Sequence, residues 1–364
     1  ISSGPVFTAG ADRVHTGDIR SSDSDKTGGA PVKVLLLMLS DSPGIGGMEK
    51  HARELATGLA DRGLSVTLVA GREHLYELPS SVRASVINTS GSRYSPALLL
   101  RIFRLIHSEG FDVIHAQGTK AAFAVQHLRP LIKPCRLIAT IHGFKSRYPK
   151  AKAFDRLIAV SKTLAASINQ PNVSVVYNGV KIRSIRGRNL PTADTPSWLA
   201  AGRLVPVKGF AQLIKAFRYC SDSLWIAGDG PERESLQQLI DTTGQKHRIH
   251  LLGHRNDLPE LMNASQGVII SSNREGFSYV CAEALLLGKP VISTNVPIAN
   301  ELLRPEHIIE TTTLEGLMDC LKTPVTELLD AQSEARATAS RELTLDAMVD
   351  NTITIYRQVL QHEL

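Results

Sequence analysis

No stretch of this chain approaches the ~20 consecutive apolar residues that a membrane-spanning helix requires. The longest, Val34-Leu-Leu-Leu-Met-Leu39, has the length of a strand, so no integral membrane helix is expected. Cysteines are few and scattered (Cys135, Cys220, Cys281, Cys320), with no C-x-x-C pair, which argues against zinc and disulfides and for a reducing compartment. Aromatic residues make up only 5% of the chain and no RNA-binding signature accompanies them, so a nucleic-acid partner is not expected. The first 30 residues lack the ~7–15-residue apolar centre of a signal peptide, and no export is implied. Rich in Gly, Ser and Asp and without apolar period, they read as a disordered leader or an expression remnant.

Against these absences, 43% of the 364 residues are hydrophobic, enough for sizeable cores, and the length suggests two domains. Charge is divided unevenly. Residues 31–185 carry 21 Lys and Arg against 9 Asp and Glu, whereas residues 186–364 carry 17 against 22. The first half is therefore expected to face something anionic: a membrane surface, a phosphorylated acceptor or, on charge alone, nucleic acid.

From Val32 the chain alternates short apolar runs with segments of helical period. The runs are Val32–Leu39, Val66–Ala70, Asp112–Ala116, Leu137–Ile141, Leu157–Val160 and Val173–Tyr177. A second series comprises Trp198–Ala201, Leu224–Ala227, Ile249–Leu252, Val268–Ser271 and Val291–Ser293. Continuous apolar runs alternating with helices predict buried parallel strands in doubly wound α/β sheets. Asn178–Pro191 breaks both periods and reads as a linker. The expected organisation is two Rossmann-like domains, 31–183 and 184–344, facing a central cleft. C-terminal helices follow, the last at 345–364 packing back towards the first domain.

Ligands of such sheets bind beyond the carboxyl ends of the strands. After the first strand comes Ser40-Asp-Ser-Pro-Gly-Ile-Gly-Gly-Met-Glu49, a glycine-rich entry to a helix N-terminus and so an anion site. A dinucleotide fingerprint fails there: Glu49 occupies the third glycine position, and the second strand runs into Gly71-Arg72 with no acid for a ribose. His142-Gly143 follows the Leu137–Ile141 run and leads into a basic segment with Lys145, Arg147, Lys150 and Lys152, interleaved with Phe144, Tyr148 and Phe154. His247, His250 and His254 straddle a strand without a carboxylate and are not expected to hold a metal. In the second series, Arg203 and Lys208 share a strand-to-helix loop suited to a diphosphate. Glu275 and Glu283, eight residues apart around a helix start, can both reach one cleft and accept hydrogen bonds from vicinal hydroxyls.

Together these residues resemble the retaining GT-B glycosyltransferases, in particular glycosyltransferase family 4. The shared motifs are Gly46-Gly47-Met48-Glu49, His142-Gly143, Ala159-Val160-Ser161, Tyr177-Asn178-Gly179-Val180, Gly202-Arg203 with Lys208-Gly209, Gly228-Asp229-Gly230-Pro231, and Glu275 to Glu283 as E-x7-E. They run in family order over about residues 32–295.

The resemblance implies a GT-B fold and a metal-independent hexosyltransferase-type enzyme without a cofactor, in keeping with the lack of a D-x-D pair near any strand end. Its donor would be a nucleoside-diphosphate sugar, UDP by default. It further implies that Arg203 and Lys208 neutralise the diphosphate and that Glu283 holds the ribose. Glu275 would hold the transferred sugar with the amides of Gly276, Phe277 and Ser278, while Gly46 and Gly47 approach the diphosphate and His142 sits near the donor sugar. The family commonly has Gly where Ser278 stands; a positive φ there would strain a residue with a Cβ. The first domain would bind the acceptor, and its basic character suits a lipid-linked or anionic glycan at a membrane face. Lys145, Arg147, Lys150 and Lys152 are the expected contacts. Envelope polysaccharide or lipopolysaccharide assembly, in the cytoplasm or at the inner face of its membrane, is the expected setting. The competing readings are a sugar-nucleotide epimerase of the same architecture and a non-catalytic nucleotide-sugar or nucleic-acid binding protein.

Overall fold

The computed structural model describes residues 30–41, 44, 46–132, 134–182, 197–309 and 314–361. The expected leader (apart from Ala30) and the domain boundary at 183/184 lie outside the described residues, as does the second part of the Asn178–Pro191 linker. Val32–Leu364 forms one unit, and it is built on two parallel sheets.

The first sheet contains β1 (Lys33–Met38), β2 (Ser65–Ala70), β3 (Val82–Val86), β4 (Val113–Gln117), β5 (Arg136–Ile141), β6 (Arg156–Ala159) and β7 (Val173–Val175). Their order is β3-β2-β1-β4-β5-β6-β7. Val34 pairs with Val66 on one side and Val113 on the other, which buries β1 on both flanks. The crossovers are α1 (Gly47–Asp61), α2 (Pro96–Glu109), α3 (Gly118–Leu128) and α4 (Lys162–Ile168). The second sheet contains β8 (Ser197–Ala201), β9 (Ser223–Ala227), β10 (Ile249–Gly253), β11 (Gly267–Ile270), β12 (Val291–Thr294) and β13 (Ile308–Ile309), in the order β10-β9-β8-β11-β12-β13. Around it lie α5 (Phe210–Ala216), α6 (Arg233–Thr242), α7 (Leu258–Ala264), α8 (Tyr279–Leu286), α9 (Ala299–Leu302), α10 (Leu314–Leu321), α11 (Val325–Ala331) and α12 (Ser333–Glu342). In each sheet the strand order reverses once, at β1/β4 and at β8/β11, and those crevices position the site.

Two strands were not anticipated from the sequence, β3 and β13. Both are edge strands: in β3 only Val82 is buried while Arg83, Ala84 and Val86 are exposed, and β13 has two residues. Neither offers the continuous apolar run that marks a strand buried on both faces.

The last helix, α13 (Leu345–Gln361), lies on the first sheet rather than the second. Val349, Ile355, Tyr356 and Val359 pack with Leu36, Leu55, Leu59 and Leu68 on one face of that sheet. Gly58 of α1 leaves room for Val349, where a Cβ would collide with it. Arg62 then bridges Asp346 (2.8 Å) and Asp350 (2.5 Å) at the solvent edge. Beneath them Tyr356 Oη lies 2.8 Å from His115 Nδ1, and His115 Nε2 lies 2.7 Å from Thr140 Oγ1, so both ring nitrogens of this wholly buried side chain are satisfied.

Burial pushes His51 down to about 4 and His115 down to about 3, from an ordinary 6.5. Both rings are neutral in the folded chain and gain protons on unfolding below pH 6.5. Their contribution to stability is thus full above pH 6.5 and lost as the pH falls towards 4, by up to about 1.4 kcal/mol per pH unit for each ring. Urea midpoints are expected to fall from pH 7 to pH 5, and His115→Asn to flatten that fall; a midpoint independent of pH in this range would mean that these rings are solvated.

Candidate active site

A cavity of about 540 Å3 opens between the two sheets, at both crevices. Gly46, Gly47 and Lys50 form its wall in the first half; Gly202, Arg203, Gly228, His254, Tyr279 and Glu283 line it in the second. Glycine is required where two strand-end loops meet: Gly228 has φ +151°, and a Cβ there would collide with the Gly202 carbonyl. The loops are tied by Gly202 N–H to Ala227 O (3.0 Å) and Leu204 N–H to Asp229 O (2.9 Å), which leaves Arg203 exposed at the cavity.

The two carboxylates of the E-x7-E motif each hold a lysine, and of the two only Glu283 lines this cavity. Glu275 Oε1 accepts from Lys208 Nζ at 2.9 Å and from Ser272 Oγ at 2.6 Å, and Ser271 Oγ donates to the Lys208 carbonyl at 2.8 Å. Glu283 pairs with Lys50 Nζ across the cleft at 3.3 Å, and that ammonium sits 4.8 Å from the Tyr279 ring centroid. Lys50 did not emerge from the sequence. Its only signal is its position in the first turn of α1, three residues after Gly47 and thus on the same helix face.

The Gly46-Gly47-Met48-Glu49 loop is braced from below. Glu49, buried, accepts from Gly46 N–H at 3.0 Å and from Ser40 Oγ, forming a capping interaction at the start of α1. This explains the acid where a dinucleotide fingerprint would have glycine: its carboxylate shapes the loop from within rather than crowding the helix against the strand.

His142 stands at the end of β5, half-buried, with Nε2 donating to Gln117 Oε1 at 2.9 Å and its ring edge-on to His51 at 4.7 Å between centroids. Burial, and behind it the neighbouring His51 and His115, hold its imidazole well below the ordinary range. It lines a separate cavity of about 270 Å3 together with Gln117, Lys120 and Lys145. Of the expected acceptor cations, Lys145, Arg147, Lys150 and Lys152 are all exposed. The aromatics between them are turned inward: Phe154 is buried, and Phe144 and Tyr148 pack against the core.

The two halves touch through backbone. A Cβ on Gly276 would collide with the His142 carbonyl and the Gly143 Cα, and Ser161 Oγ donates to the Gly276 carbonyl at 3.0 Å. Tyr279 Oη donates to Gly47 O at 3.2 Å. Further along, Glu301 accepts from Thr163 N–H (2.8 Å), Thr163 Oγ1 (2.7 Å), Lys162 N–H (3.1 Å) and Tyr177 Oη (2.8 Å). It stands on the short α9, which is entered through buried Ile298 at φ +77°, a strained conformation for a β-branched residue.

Phe277 and Ser278 complete the loop into α8. The strain expected at Ser278 is absent: its φ is −90°, an extended conformation that any residue adopts. Its Oγ is buried with no hydrogen-bond partner among the described residues. His254, set aside in the sequence as one of three unrelated histidines, lies on the cleft wall, with Nε2 3.1 Å from Asn256 Oδ1. Among the described residues no group of three or more His, Cys, Asp or Glu could hold a metal ion.

Family models match almost this whole span: Glycosyltransferase Family 4 over residues 45–183 and Glycosyl transferases group 1 over residues 181–323. The chain is 32% identical over 264 residues to the lipopolysaccharide core biosynthesis glycosyltransferase LpsD of Rhizobium meliloti (strain 1021), covering 68% of this chain and 75% of LpsD. It is 26% identical over 266 residues to an Escherichia coli UDP-Gal:alpha-D-GlcNAc-diphosphoundecaprenol alpha-1,3-galactosyltransferase, covering 61% and 68% of the two chains. Its fold matches that of Anabaena Alr3699/HepE in complex with UDP, with a TM-score of 0.75 over 90% of this chain and 100% of that one, at 21% identity.

Gly276→Ala is expected to lower the urea stability of the chain by about 1–3 kcal/mol, because the added methyl has backbone on its far side. Gly143→Ala, where nothing lies within 4 Å of a Cβ, is expected to change it by less than about 0.5 kcal/mol. Equal midpoints for the two variants would mean that the halves do not meet in solution.

Proposed function

This chain belongs to the family 4 and group 1 glycosyltransferases, and we propose that it transfers a hexose, with retention of anomeric configuration and without a metal, from a UDP-sugar to a lipid-linked or anionic glycan acceptor. The observation that carries this reading is the shared cavity between the halves, lined by the exposed Arg203 and by Glu283, which pairs with Lys50 of the first half.

A nucleoside diphosphate in this cavity would bring negative charge to Arg203, a planar donor that neutralises phosphate bidentately. Lys208, held by Glu275, stands ready to follow as charge develops on the leaving diphosphate; this compensation is the main catalytic contribution. Glu283 would accept the ribose hydroxyls, exchanging its contact with Lys50, and Glu275 would accept those of the transferred sugar. The amides of Gly276, Phe277 and Ser278 assist there, while Gly46 and Gly47 close over the diphosphate from the first half. His142, expected near the donor sugar, lines the neighbouring cavity of about 270 Å3 rather than this one.

Support for the base and the acceptor comes from the relatives. One carries UDP-Gal and a diphosphoundecaprenol acceptor in its name, and another acts in lipopolysaccharide core biosynthesis. The basic exterior of the first half, with Lys145, Arg147, Lys150 and Lys152 exposed, agrees with an anionic acceptor or membrane face. Peripheral attachment at the inner face of the cytoplasmic membrane belongs to this reading; no helix among the described residues is long and apolar enough to cross a membrane. Envelope polysaccharide or lipopolysaccharide assembly is the setting we assign.

Arg203→Ala and Lys208→Ala are each expected to lower kcat/KM by about 10²–10³-fold, or about 3–4 kcal/mol of transition-state stabilisation. Thermal-shift titration with UDP, GDP and ADP should single out UDP, at 100 times its Kd raising stability by about 2.7 kcal/mol, with Arg203→Ala reducing the shift. Near-normal turnover in either variant would sink the assignment. Epimerisation of the sugar nucleotide without acceptor would replace it with the epimerase reading.

A further inference from the structure

We propose that the 270 Å3 cavity beside His142 is a subsite for one anionic group, phosphoryl or carboxyl, of the acceptor sugar, held by Gln117, Lys120 and Lys145. The inference rests on the glycosyltransferase reading and adds to it the chemistry that the acceptor must carry next to the reacting end.

Four observations converge on this cavity. Among the described residues its walls carry two lysines and no carboxylate. Lys120 is fixed in place: its ammonium donates to Asp41 Oδ2 at 2.5 Å and to the Thr89 carbonyl at 2.6 Å, so the charge is positioned before any ligand arrives. Asp41, like Glu73, lines the neighbouring cavity of about 610 Å3, not this one. Gly118, Thr119 and Lys120 are the first turn of α3, an 11-residue helix with no side-chain cap, so its leading N–H groups and positive dipole end face the same space.

The fourth observation points to a ligand. Gln117, only 1% exposed, gives its Oε1 to His142, which leaves the Nε2 amide buried with no partner among the described residues. A buried donor without an acceptor costs about 1–3 kcal/mol. An anion seated on the α3 N-terminus would supply that acceptor while meeting both ammonium groups. At this volume the cavity is smaller than sites for drug-sized ligands, which suits a single charged substituent. The larger cavity beyond the Lys120–Asp41 pair, with Arg72, Asn88 and Arg101 on its walls, leaves a path for the rest of a glycan.

The test uses the full chain saturated with UDP, so that phosphate groups of the probe cannot enter the donor cavity. Glucose, glucose 6-phosphate and glucuronic acid are titrated and followed by ligand-observed NMR. One or both anionic sugars are expected to bind while glucose does not; which of the two binds tells phosphoryl from carboxyl. Affinity is expected to fall about tenfold or more in Lys120→Met and in the near-isosteric Gln117→Glu, as removal of a charge-assisted bond predicts. Lys145→Ala, an exposed change with no bearing on folding, should weaken it in the same direction. Lys246→Ala on the second half should not. UDP affinity and melting temperature serve as the fold control for each variant. Glucose binding as tightly as its anionic counterparts, or full probe affinity in Lys120→Met and Gln117→Glu with UDP binding intact, would overturn the subsite. Failure of UDP to bind the unaltered chain would instead strike the donor reading, and the same variants titrated without UDP would still decide the subsite.

Discussion

The backbone of Gly276 lying against the backbone of His142 and Gly143 is the contact on which the rest of the site depends. Side chains can change rotamer to absorb a change in spacing; two main chains in contact cannot. This approach fixes how near the halves come, and so which groups share one cavity. With it in place Tyr279 reaches Gly47 and Lys50 reaches Glu283. The Glu301 network secures the same approach from further along the cleft, with four donors on one carboxylate and strain at Ile298 accepted to bring α9 there.

Charge in the cleft is arranged in pairs that bridge loops. Each glutamate of the E-x7-E motif neutralises a lysine, Arg255 on the cavity wall pairs with Asp257, and among the described residues of that wall Arg203 is the exposed cation. An incoming anion therefore meets the guanidinium first without breaking an existing ion pair. Guanidinium is also the more weakly hydrated of the two cation types, so it gives up water at lower cost. The lysines, compact and more strongly hydrated, are kept in place by carboxylates until charge is brought to them. Cleft and surface thus differ in how they hold cations: the cleft pairs its lysines, while the outer surface of the first half leaves Lys145, Arg147, Lys150 and Lys152 to solvent.

Much of this was legible in the sequence, for a physical reason. Strands buried on both faces are continuous apolar runs, so every inner strand could be found, while β3 and β13, half-exposed or two residues long, left no such trace. Strand-end motifs were legible because the fold gathers strand ends: Gly46, Gly47, Arg203 and Glu283 do share one cavity. Groups defined by the opposite half were not. Lys50 reads as one more solvated helix residue until α8 is set against it, and Gln117 lies just past the Asp112–Ala116 run with nothing to mark it until His142 takes its side-chain oxygen. The inward turn of Phe144, Tyr148 and Phe154 was equally hidden, since alternation of aromatic and basic residues looks alike whether the rings face a membrane or a core.

The return of α13 to the first sheet makes that domain discontinuous along the chain. Val180 and Thr344 form an isolated bridge, with Val180 N–H donating to Leu343 O at 2.8 Å and Leu345 N–H to Val180 O at 3.1 Å. The second half leaves and re-enters the first at neighbouring points, as an insertion between two residues that already touch. During synthesis one apolar face of the first sheet, covered in part by α1, must wait for its remaining cover until some 165 further residues have been made and α13 arrives. The inserted half, contiguous in sequence, can finish first, which inverts the usual N-terminal-first order of domain folding.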